Sequence, residues 1–568
     1  MSTPILCGID LGTTNTLAAH FVITSGGGEV HLIESAEGDL LMPSVVHFYP
    51  GSKEYCVGRS ALGFALNHPD RTFRWVKRYI GKNITWAVEI DGNELLEVNA
   101  RTISARILKE ALKNARREMR LPELPTEAVI SVPAYFSEQE RVGTKEAAEV
   151  AGLQRCRLIE EPTAAIFEFI YELKRLGQLT TRFPSGRGHV LVFDLGGGTF
   201  DVSVARLDLT NPGEPRVQIV ANNGIRDLGG YNFDMELLKY GLKLASKSSP
   251  NLPILGELLV AAEELDIDGK ISDREHASLI SNALISAEAC KQRLSSVPRR
   301  EITQQFTLYL GGAAQQYVDI SRGEFEDLLA PYLARIKGVL QETLAILQDN
   351  TNGEISRWEQ LDEVILVGGS TRIPAIRDLI QEVIGFAPSE DVRKDLVVAK
   401  GAAIQAAIDA GLPVLQVARC TSYDYGIVDP NGTTKVVIPR GSQYPSQHKA
   451  KYKVPFSLTT RLPITIVENA GHTGDQAHAK VIKEVSYFHP LLLTGDELEV
   501  TCSIDESGLM KVFVEDPRSG EAVESSIKDI SMTDDEKAQA RQDVEEGISP
   551  HDAWNRYEPD RDEADGAL

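Results

Sequence analysis

The chain has 568 residues, 42% hydrophobic and 25% charged, an ordinary globular composition that is too long for one core and calls for three or four structural units. Its formal net charge of −23 excludes non-specific nucleic-acid binding, which needs a basic surface. Met1-Ser2-Thr3-Pro4 offers no basic leader and no run reaches the roughly 18 apolar residues of a membrane span, so a cytoplasmic protein without membrane contact is expected.

The first chemical signal comes at once, in Gly8-Ile9-Asp10-Leu11-Gly12-Thr13-Thr14-Asn15. An apolar strand ends in an acid, turns through glycine, presents threonines and resumes. Glycine lets the backbone approach an anion closely with successive N–H groups pointing inward. The threonine hydroxyls add donors, and the acid would repel phosphate unless a divalent cation sat between them. Cys7, Cys56, Cys156, Cys290, Cys420 and Cys502 are scattered without a C-x-x-C pair, which predicts free thiols in a reducing compartment. The apolar spacing predicts an amphipathic helix over 106–120.

A second hairpin of the same kind comes later, Val192-Phe193-Asp194-Leu195-Gly196-Gly197-Gly198-Thr199-Phe200-Asp201-Val202. Two such loops face to face would clamp a metal-bound polyphosphate. No G-x-x-x-x-G-K-[ST] motif occurs, and Asp201 stands where the third glycine of G-x-G-x-x-G would fall. The clamp is therefore of another kind. Glu288, Lys291 and Ser295 share one helical face by their spacing. A further helix is predicted over 325–348. The strand Val364–Val367 then leads into Gly368-Gly369-Ser370-Thr371-Arg372, where two glycines could lie against a base and Arg372 could stack on it.

To about Gly411 strands alternate with helices, an α/β pattern. Residues 412–419 are expected to link it to a second region, 420–531, of short strands. These include 435–438, 464–467, 498–501 and 511–514, punctuated by Asn431-Gly432, Ser507-Gly508 and Ser519-Gly520, a pattern that points to a β-sandwich or barrel. In 532–568, Thr533-x-x-Glu536 opens one helix that Gly547 would end, and the acidic remainder is expected to be disordered.

With these loops in view the chain resembles the seventy-kilodalton heat-shock chaperones of the actin-like ATPase superfamily. The likeness extends through Lys77-Arg78-Tyr79-Ile80-Gly81, Val132-Pro133-Ala134-Tyr135-Phe136, Ile159-Glu160-Glu161-Pro162-Thr163, Leu228-Gly229-Gly230 and Ser321-Arg322-Gly323-Glu324-Phe325. It covers residues 1–411 densely and 420–531 faintly. It implies a two-lobed α/β ATPase domain over 1–411, then the linker, a β-sandwich that binds substrate, and a short helix with an acidic tail.

The resemblance also implies roles. ATP or ADP would bind with magnesium, and potassium is admitted as a second cation. Gly12, Thr13, Thr14, Asn15, Gly196, Gly197, Gly198 and Thr199 would hold phosphate. Gly229, Gly230, Glu288, Lys291, Ser295, Gly368, Gly369, Ser370, Arg372 and Asp395 would complete the nucleotide site. Asp10 and Asp201 would hold magnesium through water, with Glu161 binding its waters. Lys77 would place a cation at the γ-phosphate, and Asp194 would orient or deprotonate the attacking water. Pro133 and Arg141 would relay the nucleotide state, Arg157 would meet a J-domain cochaperone, and Tyr425 and Ile427 would line the peptide cleft. Implied partners are unfolded client peptides, a J-domain cochaperone and a nucleotide exchange factor, acting on a monomer.

Departures from the family pattern are equally specific. Gln292 stands where an arginine usually stacks on adenine, and the linker reads Leu415-Gln416-Val417-Ala418-Arg419. The segment after Ser531 is too short for a helical lid, so a short, lidless form is expected. The sequence thus reads as a slow ATP-hydrolysing chaperone for extended hydrophobic peptides. The alternative is a nucleotide-gated regulator or exchange factor of another chaperone; a sugar kinase is disfavoured by the added β-domain.

Overall fold

In a computed structural model of the chain, the residues described are 5–545 apart from 25–27, 91–93, 212–214, 269–273, 297–300, 312–313, 390–392, 429–431, 456–458, 469–479, 519–521 and 526–531. Both glycine-threonine hairpins form, and a sheet is built around each. In the first sheet Cys7–Leu11 pairs antiparallel with Asn15–Val22; Glu127–Val132 and Arg155–Glu160 add in parallel on one side, and Glu29–Ile33 adds on the other. In the second, Arg187–Leu195 pairs antiparallel with Phe200–Asp208, Glu363–Val367 adds in parallel, and Arg216–Ile225 is antiparallel. A hairpin with a parallel strand on one side and an antiparallel strand on the other occurs in both, and each sheet with its helices makes one lobe of an α/β half. Val190, Leu191, Val192 and Phe193 are wholly buried, which is why this strand reads as a continuous apolar run.

The helices obey local capping rules. The one predicted over 106–120 runs Ala100–Glu118, because Asn99 accepts hydrogen bonds from the N–H groups of Arg101 and Thr102 and starts it early. The one predicted over 325–348 runs Arg322–Asn350 behind a capping box of Ser321 and Glu324. Val397–Asp409 packs on Glu161–Arg175 so closely that a Cβ on Gly401 would lie 1.8 Å from the Ala164 carbonyl oxygen.

The segment expected as a linker is not a free connector. Val414 and Leu415 are buried, and Gln416–Cys420 is a strand, parallel to Arg216–Gln218 at the edge of the second sheet and antiparallel to Gln443–Tyr444. The sheet edge offered unpaired backbone groups, and the segment satisfies them. Beyond it lies the expected β-sandwich. One sheet orders Thr434–Ile438, Tyr425–Val428, Thr459–Glu468 and Lys480–Leu492; the other orders Ser446–Lys453, Glu497–Ile504, Met510–Glu515 and Ala522–Ser525. The turn at Ser507-Gly508 forms, with Gly508 at φ 74°. The turns expected at Asn431 and Ser519-Gly520, and the tail from 546, lie outside the described residues.

The sandwich sits on the loop Pro133–Ser137 of the first lobe. Ser422 Oγ donates to the Ala134 carbonyl at 2.8 Å, Tyr423 Oη donates to the Tyr135 carbonyl at 2.5 Å, and Met510 N donates to Glu138 Oε1 at 2.9 Å. Arg226, from the second lobe, donates to Glu468 Oε1 at 2.7 Å and to the Tyr135 carbonyl at 3.0 Å. The helix expected after Thr533 runs Asp534–Glu545, capped by Thr533 and Glu536. It packs back on the first lobe: Ala540 and Val544 join its core, Tyr55 Oη donates to the Val544 carbonyl at 2.6 Å, and Lys537 pairs with Glu149 at 2.8 Å. Ala540 and Val544 are four residues apart and so share one helical face.

This packing has two measurable consequences. Gly401→Ala should cost about 3 kcal/mol or more, because backbone meets the new methyl on a helix face that cannot give way; chemical denaturation measures it. Burial pushes the Glu138 carboxyl up to about 8. Docking therefore holds a proton that a free glutamate loses near 4.5, so its contribution is complete below that value and is lost as pH rises through about 8. Energy transfer between dyes on the two domains should fall from pH 7 to 9 in the native protein, and Glu138→Gln should remove that step.

Candidate nucleotide site

The two hairpins meet tip to tip across the cleft between the lobes. A Cβ on Gly197 would lie 2.5 Å from Thr14 Oγ1, and one on Gly198 would lie 2.9 Å from Thr13 Oγ1. The second hairpin is backed by the turn that opens the helix Gly230–Ser248, where Gly230 N donates to the Gly196 carbonyl at 3.0 Å and Tyr231 N to the Gly197 carbonyl at 2.8 Å. Gly229 would carry its Cβ 2.5 Å from Gly198 N, so no larger residue fits behind the loop. The third glycine cluster comes directly after Glu363–Val367. Gly368 has φ 84°, and a Cβ there would strike the Leu195 carbonyl at 2.4 Å and Asp194 Oδ1 at 2.9 Å.

These elements enclose a cavity of about 380 Å³. Its wall includes Asp10, Gly12, Thr13, Thr14, Asn15, Lys77, Glu161, Asp194, Gly196, Gly197 and Thr199. At its other end stand Gly230, Glu288, Lys291, Ser295, Gly368, Gly369, Ser370, Arg372 and Asp395. Gly198, Gly229 and Asp201 stand just behind this wall. Ser370 Oγ donates to the Gly196 carbonyl at 2.9 Å. Lys291 Nζ donates to Asp234 Oδ2 at 2.8 Å and to the Gly230 carbonyl at 3.0 Å. Arg372 is bound by both oxygens of Asp395, which holds its guanidinium over the cavity edge.

Electrostatics dominate the floor. Lys77 Nζ lies 2.6 Å from Glu161 Oε1, both largely buried. Burial, with Glu161 next in effect, pushes Asp10 up to about 6 and Asp201 up to about 7. Asp194 is raised well above the usual carboxylate range by burial and then by Glu161, Asp201 and Asp10. Asp194 and Asp201 are also direct cross-strand partners, an arrangement of like charges that is destabilising by itself. Asp10 accepts from Ser131 Oγ at 2.7 Å and Asp201 accepts from Tyr135 N at 2.8 Å, while Asp201 Oδ2 is buried with no hydrogen-bond partner among the described residues.

Such a floor fits a cation. No three His, Cys, Asp or Glu side chains among the described residues are grouped to hold an ion. A magnesium ion that keeps its waters fits these acids, since water supplies the reach that the carboxylates lack. The glycine N–H groups and threonine hydroxyls then fit phosphate oxygens on the other side of that ion.

Outside the cavity, Pro133 and Arg141 sit at its junction with the sandwich. Arg141 donates to Glu160 Oε1 at 3.0 Å and to the carbonyls of Ala134 and Ser507, and Tyr444 Oη donates to the same Glu160 oxygen at 2.5 Å. Arg157 pairs with Asp409. Tyr425 and Ile427 are buried in the sandwich core. Several residues of the site were not legible. Trp75, Tyr231 and Asp234 line the cavity, and Arg74 stands beside it. The only signal was proximity to Lys77 and to the Gly229-Gly230 turn.

Comparison with known proteins gives a consistent result. A family model described as Hsp70 protein matches residues 6–565. The chain is 31% identical to a protein named chaperone protein dnaK from Cyanophora paradoxa over 577 residues, 97% of this chain and 84% of that one. A chaperone protein dnaK from Guillardia theta is 31% identical over 540 residues, covering 90% and 77% of the two chains. Heat shock 70 kDa protein 7, chloroplastic, from Arabidopsis thaliana is 31% identical over 546 residues, covering 92% and 68%.

Deprotonated acids are what a cation needs, so the raised values give a pH dependence. Magnesium-dependent nucleotide affinity should be full only well above about 7, where Asp10 and Asp201 are both ionised, and fall as pH drops through about 7 and then about 6. Below that value the loss should approach about tenfold per pH unit for each proton displaced. Calorimetric titration from pH 8 to 5.5, with magnesium and with EDTA, measures it.

Proposed function

The chain belongs to the Hsp70 family, and from that premise we propose that it is an ATP-dependent chaperone that binds ATP with hydrated magnesium between the hairpins, hydrolyses it slowly and thereby alters its grip on extended hydrophobic peptides. The observation that carries the reading is the buried Lys77–Glu161 pair at 2.6 Å, which lines the cavity with Asp10 and Asp194 where the hairpins meet, Asp201 being the cross-strand partner of Asp194. A floor of acids with one lysine suits a cation-bound polyphosphate and little else.

In this reading Thr13, Thr14, Thr199 and the backbone of the two loops hold phosphate oxygens. Magnesium, when bound, neutralises charge on those oxygens and orients the terminal phosphate. Lys77 stabilises the charge that redistributes at the γ-phosphate. Asp194 orients the attacking water and accepts its proton; a carboxyl that burial raises well above the usual carboxylate range is a stronger base than a free one. Glu288, Lys291, Ser295 and Arg372 hold the nucleoside.

Coupling to peptide runs through the loop Pro133–Ser137. Its Tyr135 N–H is held by Asp201, and its other face carries the sandwich through Ser422 and Tyr423. A shift of Asp201 with nucleotide state therefore moves the surface on which the β-domain rests. Peptide contact at Tyr425 and Ile427 requires that domain to open, since both are buried as docked. A J-domain cochaperone meeting the surface near Arg157, an exchange factor and a cytoplasmic location belong to the same reading.

Lys77→Ala should lower ATP turnover by about a hundredfold or more while nucleotide affinity stays within a few-fold, because the lysine acts chiefly on transition-state charge. Undiminished turnover would falsify the catalytic assignment. Peptide affinity should be weaker with ATP than with ADP; equal affinities would instead favour a passive nucleotide-binding regulator.

A further inference from the structure

The nucleoside end of the cavity has a wall that the family resemblance does not supply. It is made by Arg74 and Trp75, contributed by the first lobe just before Lys77. Trp75 has φ 57°, a conformation that is costly for a bulky residue and is kept only where surrounding contacts enforce it. Those contacts reach the second lobe: its ring centroid is 5.2 Å from that of Tyr231, and the Arg78 guanidinium lies 4.2 Å over the same tyrosine. The Arg74 guanidinium lies 4.1 Å over the Trp75 ring, and its Nη2 donates to Glu288 Oε2 at 3.0 Å. The side chains of the pair are only 9% and 15% exposed. Arg74 Nε and Nη1 are buried donors for which the described residues supply no acceptor.

The neighbourhood explains why this pair stands where it does. Arg74, Trp75, Glu288 and Gln292 border one recess of about 430 Å³, and Trp75, Glu288 and Gln292 also line the nucleotide cavity. Among the described residues, the second lobe's share of this recess is Ile285, Glu288, Ala289 and the neutral Gln292, and its cations Lys291 and Arg372 line the adjoining cavity instead. A guanidinium comes instead from the opposite lobe, and a second arginine at 292 would repel it. Glu288 is an acceptor only, so on an adenine nucleoside it can take the ribose hydroxyls or the exocyclic amino group, and 2′-deoxyATP tells the two apart. Where its carboxylate points is decided by Arg74.

We infer that Arg74 is a nucleotide-positioning residue: it fixes Glu288 against the ribose and, with Trp75, spans the two lobes over the nucleoside, setting ribose recognition and nucleotide residence time together. The inference rests on the reading of the cavity as an ATP site. It predicts a preference for ATP over 2′-deoxyATP that depends on a residue of the lobe opposite to Glu288.

The test is calorimetric titration of the whole chain with ATP and with 2′-deoxyATP, alongside the release rate of radiolabelled ADP. Arg74→Gln should weaken ATP about tenfold and 2′-deoxyATP much less, so that the preference collapses, and should speed ADP release by a similar factor. Single-turnover hydrolysis of ATP already bound should stay within about twofold, since no group at the phosphate has changed. Glu288→Gln should give the same collapse, and the double variant should be no worse than either alone. A native protein that binds no ATP would overturn the functional reading. A native protein that binds ATP, with Arg74→Gln keeping both affinity and preference, would overturn this inference alone. If Arg74→Gln does not fold, Glu288→Gln decides: an unchanged preference for ATP over 2′-deoxyATP overturns the inference.

Discussion

Four carboxylates, those of Asp10, Glu161, Asp194 and Asp201, converge on one lysine at the meeting point of two hairpins, and the rest of the molecule is arranged to make that possible. Buried like charges are expensive, and here burial first and Glu161 next raise Asp10, Asp194 and Asp201. Such a cluster persists only if the scaffold around it is rigid. Two sheets with apolar central strands, and helices packed to backbone contact as at Gly401, supply that rigidity. A cation, with phosphate held on glycine backbone, would relieve that strain, so the feature that costs stability without ligand would favour ligand binding.

The cluster is also where the two halves of the chain meet energetically. Asp201 holds the backbone of Tyr135, and Tyr135 holds Tyr423 and Arg226. Glu160, the residue before Glu161, gathers Arg141, Tyr444 and Arg419 in one buried knot. Each of these groups has little solvent to fall back on, so a change at the acids has few ways to be absorbed locally. The docked strand Gln416–Cys420 adds backbone pairing to the same junction. The arrangement ties the sandwich to the cleft through short, direct contacts.

The family pattern and the individual chain separate most clearly at the nucleoside edge. Gln292 looks like a loss when it is read in line with its neighbours. In three dimensions the missing cation is met from across the cleft by Arg74, propped on a tryptophan in left-handed backbone. The helix Asp534–Glu545 shows the same lesson. Its composition suggests a solvated segment, yet Ala540 and Val544 give it one apolar face, and that face lies on the first lobe.

Much of this was written in the sequence, because it depends on local rules. Glycines that must turn or admit backbone, threonines beside them, acids at strand ends and capping residues such as Asn99, Ser321 and Thr533 announce themselves at fixed spacings. Period and turn chemistry likewise separated an α/β half from a β-sandwich. Three things had no such signature: the pairing of Arg74 with Glu288, the capture of 416–420 as an edge strand, and the burial of Tyr425 and Ile427. Each rests on contact between residues far apart in the chain, and a lone arginine, a short apolar run or a tyrosine reads the same whether such a partner exists or not. The local rules fixed what each segment could be; packing between distant segments decided what each one met.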